Sequence, residues 1–338
     1  MMMDKKYDVI TYGRSSIDLY SANIGAPFVE IKQFNAYVGG SPLNIAVGAR
    51  RLGLKSALLT GVGQDQVGEF LMHFLRKEDV ETKFIGIKPD ARTSAVVLGI
   101  EPPDNFPLVY YRNNCADSNV DIDDVIRAEV GQFRIMEISA TALNIEPTRS
   151  AAFYAAEVAG KNGVPVLIDL DFRADQWHDA RAFGVTARAF LRGCTIALGT
   201  EEEILATMLS DPNQIKIKNQ QISAPEIKGN IDDAMAAIMK LGIEALVVKR
   251  GAEGSRVILK SGEIIDVPGF QVEVVNILGA GDAFAAGFIY GYLNGWDWYK
   301  CCRMGNACGA ILVTKPGCSN FNPTLGEVMS FIESKGGF

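Results

Sequence analysis

The segment Asn276-Ile277-Leu278-Gly279-Ala280-Gly281-Asp282 sets two glycines and a carboxylate at what reads as the first turn of a helix. Glycines there leave backbone N–H groups unobstructed. The first turn also carries orphan donors and the positive end of the helix dipole, so the site suits a phosphate. A carboxylate in the same turn can accept the proton of an attacking hydroxyl. Asp282 is therefore a candidate base, with Gly279, Ala280 and Gly281 as a candidate anion hole; the plainer alternative is an ordinary carboxylate at a helix N-terminus. A second constellation is Gly39-Gly40-Ser41-Pro42-Leu43-Asn44. Paired glycines let the backbone approach a ligand, and Asn44 offers a polyol both a donor and an acceptor. The alternative is a simple capped helix start.

These residues need a scaffold, and the sequence supplies a rhythm of strands and helices. Strands are predicted at 7–12, 56–60, 135–138, 166–169, 196–198 and 246–249, with helical segments between them. Such alternation means a parallel sheet covered on both faces. A helix starts at Ser41 (N-cap) and Pro42 (N1) and stops at Gly53. A Gly-rich turn after Thr60 leads to a helix near 67–77. Residues 93–100 and 107–111 read as a hairpin around Pro102-Pro103-Asp104-Asn105. The stretches 15–38 and 92–112 break the rhythm and are too short for a domain, so they read as a small β lid inserted in one 338-residue domain. Residues 210–229 read as a polar surface excursion. A strand is expected at 271–275. The helix after Asp282 is apolar nearly all round, as a buried helix would be. Gly287 and Gly291 leave one of its faces smooth for close packing against a second helix near 298–312.

Composition narrows the chemistry. The formal charge is −7, which disfavours non-specific nucleic-acid binding. Only His73 and His178 are present, and none of the six cysteines forms a C-x-x-C pair. A histidine-rich zinc site, a zinc ribbon and a redox dithiol are therefore not signalled. The cysteines read as buried, reduced thiols. No apolar run approaches the ~18–20 residues of a membrane span, and the start lacks the pattern of a signal peptide, so the expected location is the cytoplasm. Gly61-Val62-Gly63-Gln64-Asp65-Gln66 has glutamine where the dinucleotide fingerprint needs its third glycine, and no Walker loop is present.

The ordered set Gly13…Asp18, Gly39-Gly40…Asn44, Gly63-x-Asp65-x-x-Gly68, Thr200-x-x-Glu203, Gly251-Ala252-Glu253-Gly254 and Gly279-Ala280-Gly281-Asp282 resembles the PfkB, or ribokinase-like, carbohydrate kinases. The resemblance runs from Gly13 to Asn322. It implies a three-layer α/β/α fold with a mainly parallel central sheet and a β lid, and an ATP-dependent sugar kinase. Asp282 would be the base, and the Gly279–Gly281 amides would hold charge on the transferred phosphoryl group. Asp18, Gly39, Gly40, Asn44 and Tyr110 would surround the sugar. Thr200, Glu203, Lys249, Gly251, Gly254 and Asn306 would surround ATP, with Glu203 organising Mg2+ through water. The lid would close to exclude water. Thr200 stands where the family often has asparagine, and Asn276-Ile277-Leu278 replaces the family's Asp-Thr-Thr or Asn-Thr, which leaves a monovalent cation open.

Arg112 ends the second lid strand and Arg173 follows a core strand, so both should point at the cleft beyond the carboxyl ends of the sheet. A neutral sugar has little use for two guanidinium groups, whereas a carboxylate is bound bidentately. The alternative is that each pairs with a local acid, Asp117 or Asp171. The strings 107–117, 141–148, 199–203 and 248–251 extend the resemblance to the sugar-acid kinases of the family that act on a C6 hydroxyl. Neighbouring readings are a 2-keto-3-deoxygluconate kinase, a fructokinase and a non-catalytic sugar-acid sensor. The expected partners are a sugar acid and ATP, with no nucleic acid or membrane. Lid edges need covering, so a homodimer through the lid is expected.

Overall fold

The computed structural model describes residues 5–101, 105–217 and 225–338. Its strands are β1 (Tyr7–Tyr12), β2 (Ser16–Ser21), β3 (Phe34–Gly39), β4 (Ser56–Gly63), β5 (Ile85–Lys88), β6 (Ser94–Leu98), β7 (Leu108–Tyr111), β8 (Phe133–Ser139), β9 (Val166–Asp169), β10 (Ile196–Thr200), β11 (Ile215–Lys216), β12 (Glu226–Ile227), β13 (Ala245–Lys249), β14 (Gly254–Leu259) and β15 (Ile264–Pro268). Its helices are α1 (Ser41–Arg51), α2 (Gln66–Lys77), α3 (Ile122–Ala128), α4 (Thr148–Lys161), α5 (Ala180–Leu191), α6 (Glu201–Ala206), α7 (Ile231–Met239), α8 (Ala280–Leu293), α9 (Trp298–Val313) and α10 (Leu325–Ser334).

Nine strands form the main sheet in the order β15-β14-β13-β10-β9-β8-β1-β4-β5. From β13 to β5 the pairs are parallel, and the edge pairs β13–β14 and β14–β15 are antiparallel. Alternate residues of one strand feed opposite cores. Ile10 and Met136 pack with α3, α4, α5 and α7, while Val9 and Ile135 pack with α1, α8 and α9. Burial on both faces is why these strands read as continuous apolar runs. The helix after Asp282 is the buried one expected. A Cβ on Gly287 would lie 2.7 Å from the Cys308 Sγ, and one on Gly291 3.0 Å from the Cys301 Cα, so both glycines let α8 and α9 touch. The six cysteines are buried and free of disulfides.

The lid is a second sheet in the order β3-β2-β6-β7. Its inner face, with Tyr20, Val96, Leu98 and Leu108, packs with Cys318 and Leu278 at the mouth of the main domain. The family-like Asp65 serves as a clasp here. Its carboxylate accepts from the Gly68 N–H, capping α2, and from the N–H and hydroxyl of Thr93, which starts the lid hairpin. Burial opposes its ionisation, but these hydrogen bonds outweigh it and hold the carboxyl below its ordinary range.

Several expectations are corrected. The N-cap of α1 is Gly40, not Ser41, which is already helical. Gly40 has φ +108°, and a Cβ there would fall 2.3 Å from the Arg14 carbonyl oxygen. The Gly61–Gly63 stretch is not a turn but the end of β4. Residues 271–275 form no strand; Val274 and Val275 are exposed and meet no neighbouring strand. Strands lie instead at β14 and β15, whose solvated outer faces dilute the apolar pattern. Residues 102–104 of the lid hairpin and 218–224 of the excursion lie outside the described residues; the flanks of the excursion pair as β11–β12.

One core residue is anomalous. Glu137 of β8 is 0% exposed, and among the described residues neither carboxylate oxygen has a hydrogen-bond partner. Burial, and then the charges of Asp169, Asp282 and Asp171, push its carboxyl well above the ordinary range. The folded state therefore holds a proton that the unfolded chain releases, so stability falls as pH rises from the ordinary carboxylate range upward. Glu137→Gln should be more stable than the parent at neutral and alkaline pH, by a margin that grows with pH, in thermal melts run as a pH series. Parallel curves for the two proteins would refute an ionisable burden at Glu137.

Candidate active site

α8 begins at a forced geometry. Gly279 caps it with φ +78°, and a Cβ there would sit 2.7 Å from the Cys318 Sγ. The Ala280 N–H turns back to the Ile277 carbonyl at 3.4 Å, while among the described residues no turn or loop acceptor takes the N–H of Gly279 or Gly281. These amides lie at the positive end of a 14-residue helix, a candidate cradle for an anion. The ammonium of Lys249 lies 3.1 Å from where a Gly281 Cβ would be, so the cradle has a cation beside it.

Asp282 lies in the same turn. Its Oδ2 accepts from the Asn44 side-chain amide at 2.6 Å. The Asn44 Oδ1 in turn accepts from the Ser319 hydroxyl, and its backbone carbonyl from the Asn322 amide at 3.2 Å. Asn44 is thus held from both ends and aims its donor at the carboxylate. Burial, with the nearby Asp171 charge, raises the Asp282 carboxyl above its ordinary range, while Asn44, Ser41 and Lys249 oppose the rise. A carboxylate of raised basicity is better matched to taking a proton near neutrality.

One cleft brings together Arg14, Asp18, Tyr20, Gly40, Ser41, Asn44, Tyr110, Asp171, Arg173, Gly279 and Asp282. Asp18 is buried in β2 and accepts from the Ser16 hydroxyl at 2.7 Å. A Cβ on Gly39 would overlap its carboxylate, at 2.0 Å, so Gly39 makes room for Asp18. Tyr110 faces the cleft from the lid. Asp171 has φ +26°, a strained value for a residue with a side chain. It accepts from the Ser139 hydroxyl at 2.9 Å and pairs with Arg173 at 2.5 Å. Burial works against its charge, but Arg173 and Arg14 more than offset this and hold its carboxyl below the ordinary range.

Arg112 is placed elsewhere, which corrects the expectation of two arginines at 112 and 173. Its Nε donates to Asp117 at 2.6 Å, and its Nη1 to the Thr141 carbonyl and the Gln176 side chain at 3.0 and 2.7 Å. The acid five residues on captures it, and it is absent from the cleft lining. Arg14, two residues beyond β1, stands in the cleft instead. It was legible only through the rule that ligands bind beyond the carboxyl ends of parallel strands.

The other ends of the sheet gather charge beside the cradle. Lys249, at the end of β13, pairs with Asp169 of β9 at 3.0 Å and lies 3.7 Å from Glu203. Burial, then Glu203, Asp171 and Asp282, pushes the Asp169 carboxyl up against the pull of Lys249. Thr200 and Glu203 form a capping box on α6. Gly254 and Asn306 converge on the end of β15. A Cβ on Gly254 would lie 2.1 Å from the Val267 carbonyl, and the Asn306 amide donates to the Val267 and Pro268 carbonyls at 3.3 and 3.2 Å. Gly251 has φ +55° in the turn between β13 and β14, with open space around it. Among the described residues no group of three or more acidic, histidine or cysteine side chains forms a metal cluster, and no helix is long and apolar enough to cross a membrane.

Comparison with known proteins bears on this arrangement. A family model described as pfkB family carbohydrate kinase matches residues 6–325. The 5-dehydro-2-deoxygluconokinase of Geobacillus thermodenitrificans (strain NG80-2) is 33% identical over 332 residues, covering 97% of this chain and 94% of that protein. A protein of the same name from Clostridium perfringens (strain ATCC 13124) is 31% identical, covering 98% and 94%. Among solved structures, fructokinase from Vibrio cholerae O395 in its fructose-, ADP- and calcium-bound form superimposes with a TM-score of 0.81 at 24% identity, over 97% of this chain and 99% of its own. The matched span includes both glycine-rich helix starts, Gly39–Asn44 and Gly279–Asp282, and this chain belongs to the pfkB family of carbohydrate kinases.

Proposed function

We propose that this carbohydrate kinase is an ATP-dependent sugar-acid kinase that phosphorylates the C6 hydroxyl of 5-dehydro-2-deoxy-D-gluconate, a cytoplasmic step of myo-inositol catabolism. The observation that carries the reading is one cleft holding a carboxylate base at a phosphate cradle together with guanidinium groups. Relatives of that name at 31–33% identity support the substrate.

In this reading Asp282, aimed by Asn44, takes the proton of the C6 hydroxyl. The resulting oxygen attacks the γ-phosphorus of ATP, and the bond to the bridging oxygen breaks, releasing ADP. The Gly279 and Gly281 N–H groups and Lys249 hold the charge on the equatorial oxygens. Asp18 and Gly40 bind sugar hydroxyls, and Tyr110 and Arg173 lie at the acid end. Thr200, Gly251, Gly254 and Asn306 shape the nucleotide side. Glu203, beside Lys249 and the cradle, would hold magnesium through water; bound with ATP, magnesium neutralises phosphate charge. The lid, with its apolar inner face, covers the reacting groups and keeps water out. Its β7 edge strand exposes apolar side chains, Val109 at 43% and Tyr111 at 61%, which suit a second copy of this chain.

Purified enzyme assayed for ADP release should show its highest kcat/KM with 5-dehydro-2-deoxygluconate. A preference for 2-keto-3-deoxygluconate or fructose would overturn the substrate, and the absence of ATP turnover with every sugar acid tried would favour a sensor. Asp282→Asn should lower kcat by roughly 10²- to 10⁴-fold while calorimetric ATP affinity stays put. Because the base must be ionised and its carboxyl is raised, the parent should lose kcat/KM as pH falls through a point above the ordinary carboxylate range. Unimpaired turnover in the asparagine variant would remove Asp282 from the role of base. Tyr111→Asp should convert a sedimenting dimer into a monomer; a parent that is already monomeric would exclude the lid interface.

A further inference from the structure

The acid end of the cleft contains two guanidinium groups in unequal circumstances. Arg173 is committed to Asp171 at 2.5 Å and lies 3.8 Å from Glu203. Arg14 is only 8% exposed, and its Nη1 donates to a neutral group, the Ser16 hydroxyl, at 2.7 Å. Ser16 donates its own proton to Asp18, so the aspartate reaches Arg14 through a hydroxyl and not by direct contact. Among the described residues the Nε of Arg14 is buried with no hydrogen-bond partner, and so is the Nη2 of Arg112, but Arg112 is already paired directly with a carboxylate, Asp117, while Arg14 touches only the neutral Ser16 hydroxyl and the Tyr110 ring. The Tyr110 ring lies 5.1 Å from its guanidinium carbon, so the lid restrains the planar group through its face.

A buried guanidinium with an unmade hydrogen bond is costly, and the cost is removed by an acceptor that matches its fork. A carboxylate is that acceptor. We infer that Arg14, at the carboxyl end of β1 and stacked on Tyr110, is the receptor for the substrate's carboxylate. The inference rests on the sugar-acid reading and names the residue that makes the site selective for an acid. Arg173 then acts differently, by neutralising Asp171, which would otherwise repel the incoming anion. Arg112, paired with Asp117 and outside the cleft lining, is not assigned this role.

The test compares the sugar acid with its neutral counterpart, in which the carboxylate is reduced to an alcohol. Parent enzyme should prefer the acid. Arg14→Gln should raise KM for the acid roughly ten- to a hundredfold and leave KM for the neutral compound and for ATP within about twofold, with kcat little changed. Arg14→Lys, which keeps the charge and loses the fork, should fall between, and it serves if the glutamine variant fails to fold. Arg112→Gln provides the contrast and should not change the ratio of the two KM values. A parent without preference for the acid would overturn the sugar-acid reading and this inference with it. A parent that prefers the acid, with folded Arg14 variants that keep the preference, would overturn the role of Arg14 alone.

Discussion

The site depends on how closely three backbones approach one another at the start of α8. Gly279 can turn into the left-handed region against Cys318 because it lacks a Cβ, and Gly287 and Gly291 let α8 lie on α9. On the other side a Cβ on Gly48 of α1 would lie 2.8 Å from the Ala286 Cβ of α8. With α8 pressed between α1 and α9, the starts of α1 and α8 meet, and Asn44 comes within 2.6 Å of Asp282. Small residues at these contacts therefore decide the geometry around Asp282, although none of them has chemistry of its own.

Electrostatics then separate carboxylates of the same kind. Asp171 is held ionised by two guanidinium groups, while Asp18 and Asp282 are pushed upward, chiefly by burial. Asp282 is thus kept more basic than Asp171 only a short way off, in the manner by which active sites give identical groups different roles. Lys249 and Asp169 add a paired layer beneath the cradle. Positive charge stays near the phosphate position, and the negative charge that pairs with it is set deeper, on β9.

The lid belongs to this arrangement through polar clasps more than through sequence continuity. Asp65 ties the first residues of the hairpin to α2, and Gly39 and Gly40 let β3 cross Asp18 and Arg14 before α1 begins. Its inner face joins Cys318 and Leu278 in one apolar cluster, so lid position and the turn leading to α8 are mechanically linked.

The local patterns that need few neighbours were legible in the sequence: the doubly covered parallel strands, the glycine-marked starts of α1 and α8, the smooth face of α8 and the two lid segments. Each follows from periodicity or from the conformational freedom of glycine, which are properties of short stretches. Edge strands β14 and β15 were not legible, because a strand solvated on one face and paired on one edge lacks a continuous apolar run. The partners of charged groups escaped as well. Whether Arg112 or Arg14 stands in the cleft is decided by which acid each can reach, and Asp117 captures the first while the second meets the Ser16 hydroxyl and the Tyr110 ring. Residue type and spacing alone determined that the chain would carry a carboxylate in the first turn of a glycine-started helix and a supply of arginines. Only the tertiary structure decided which guanidinium touches a carboxylate directly and which does not, because ion pairing depends on distances between side chains that the order of residues does not set.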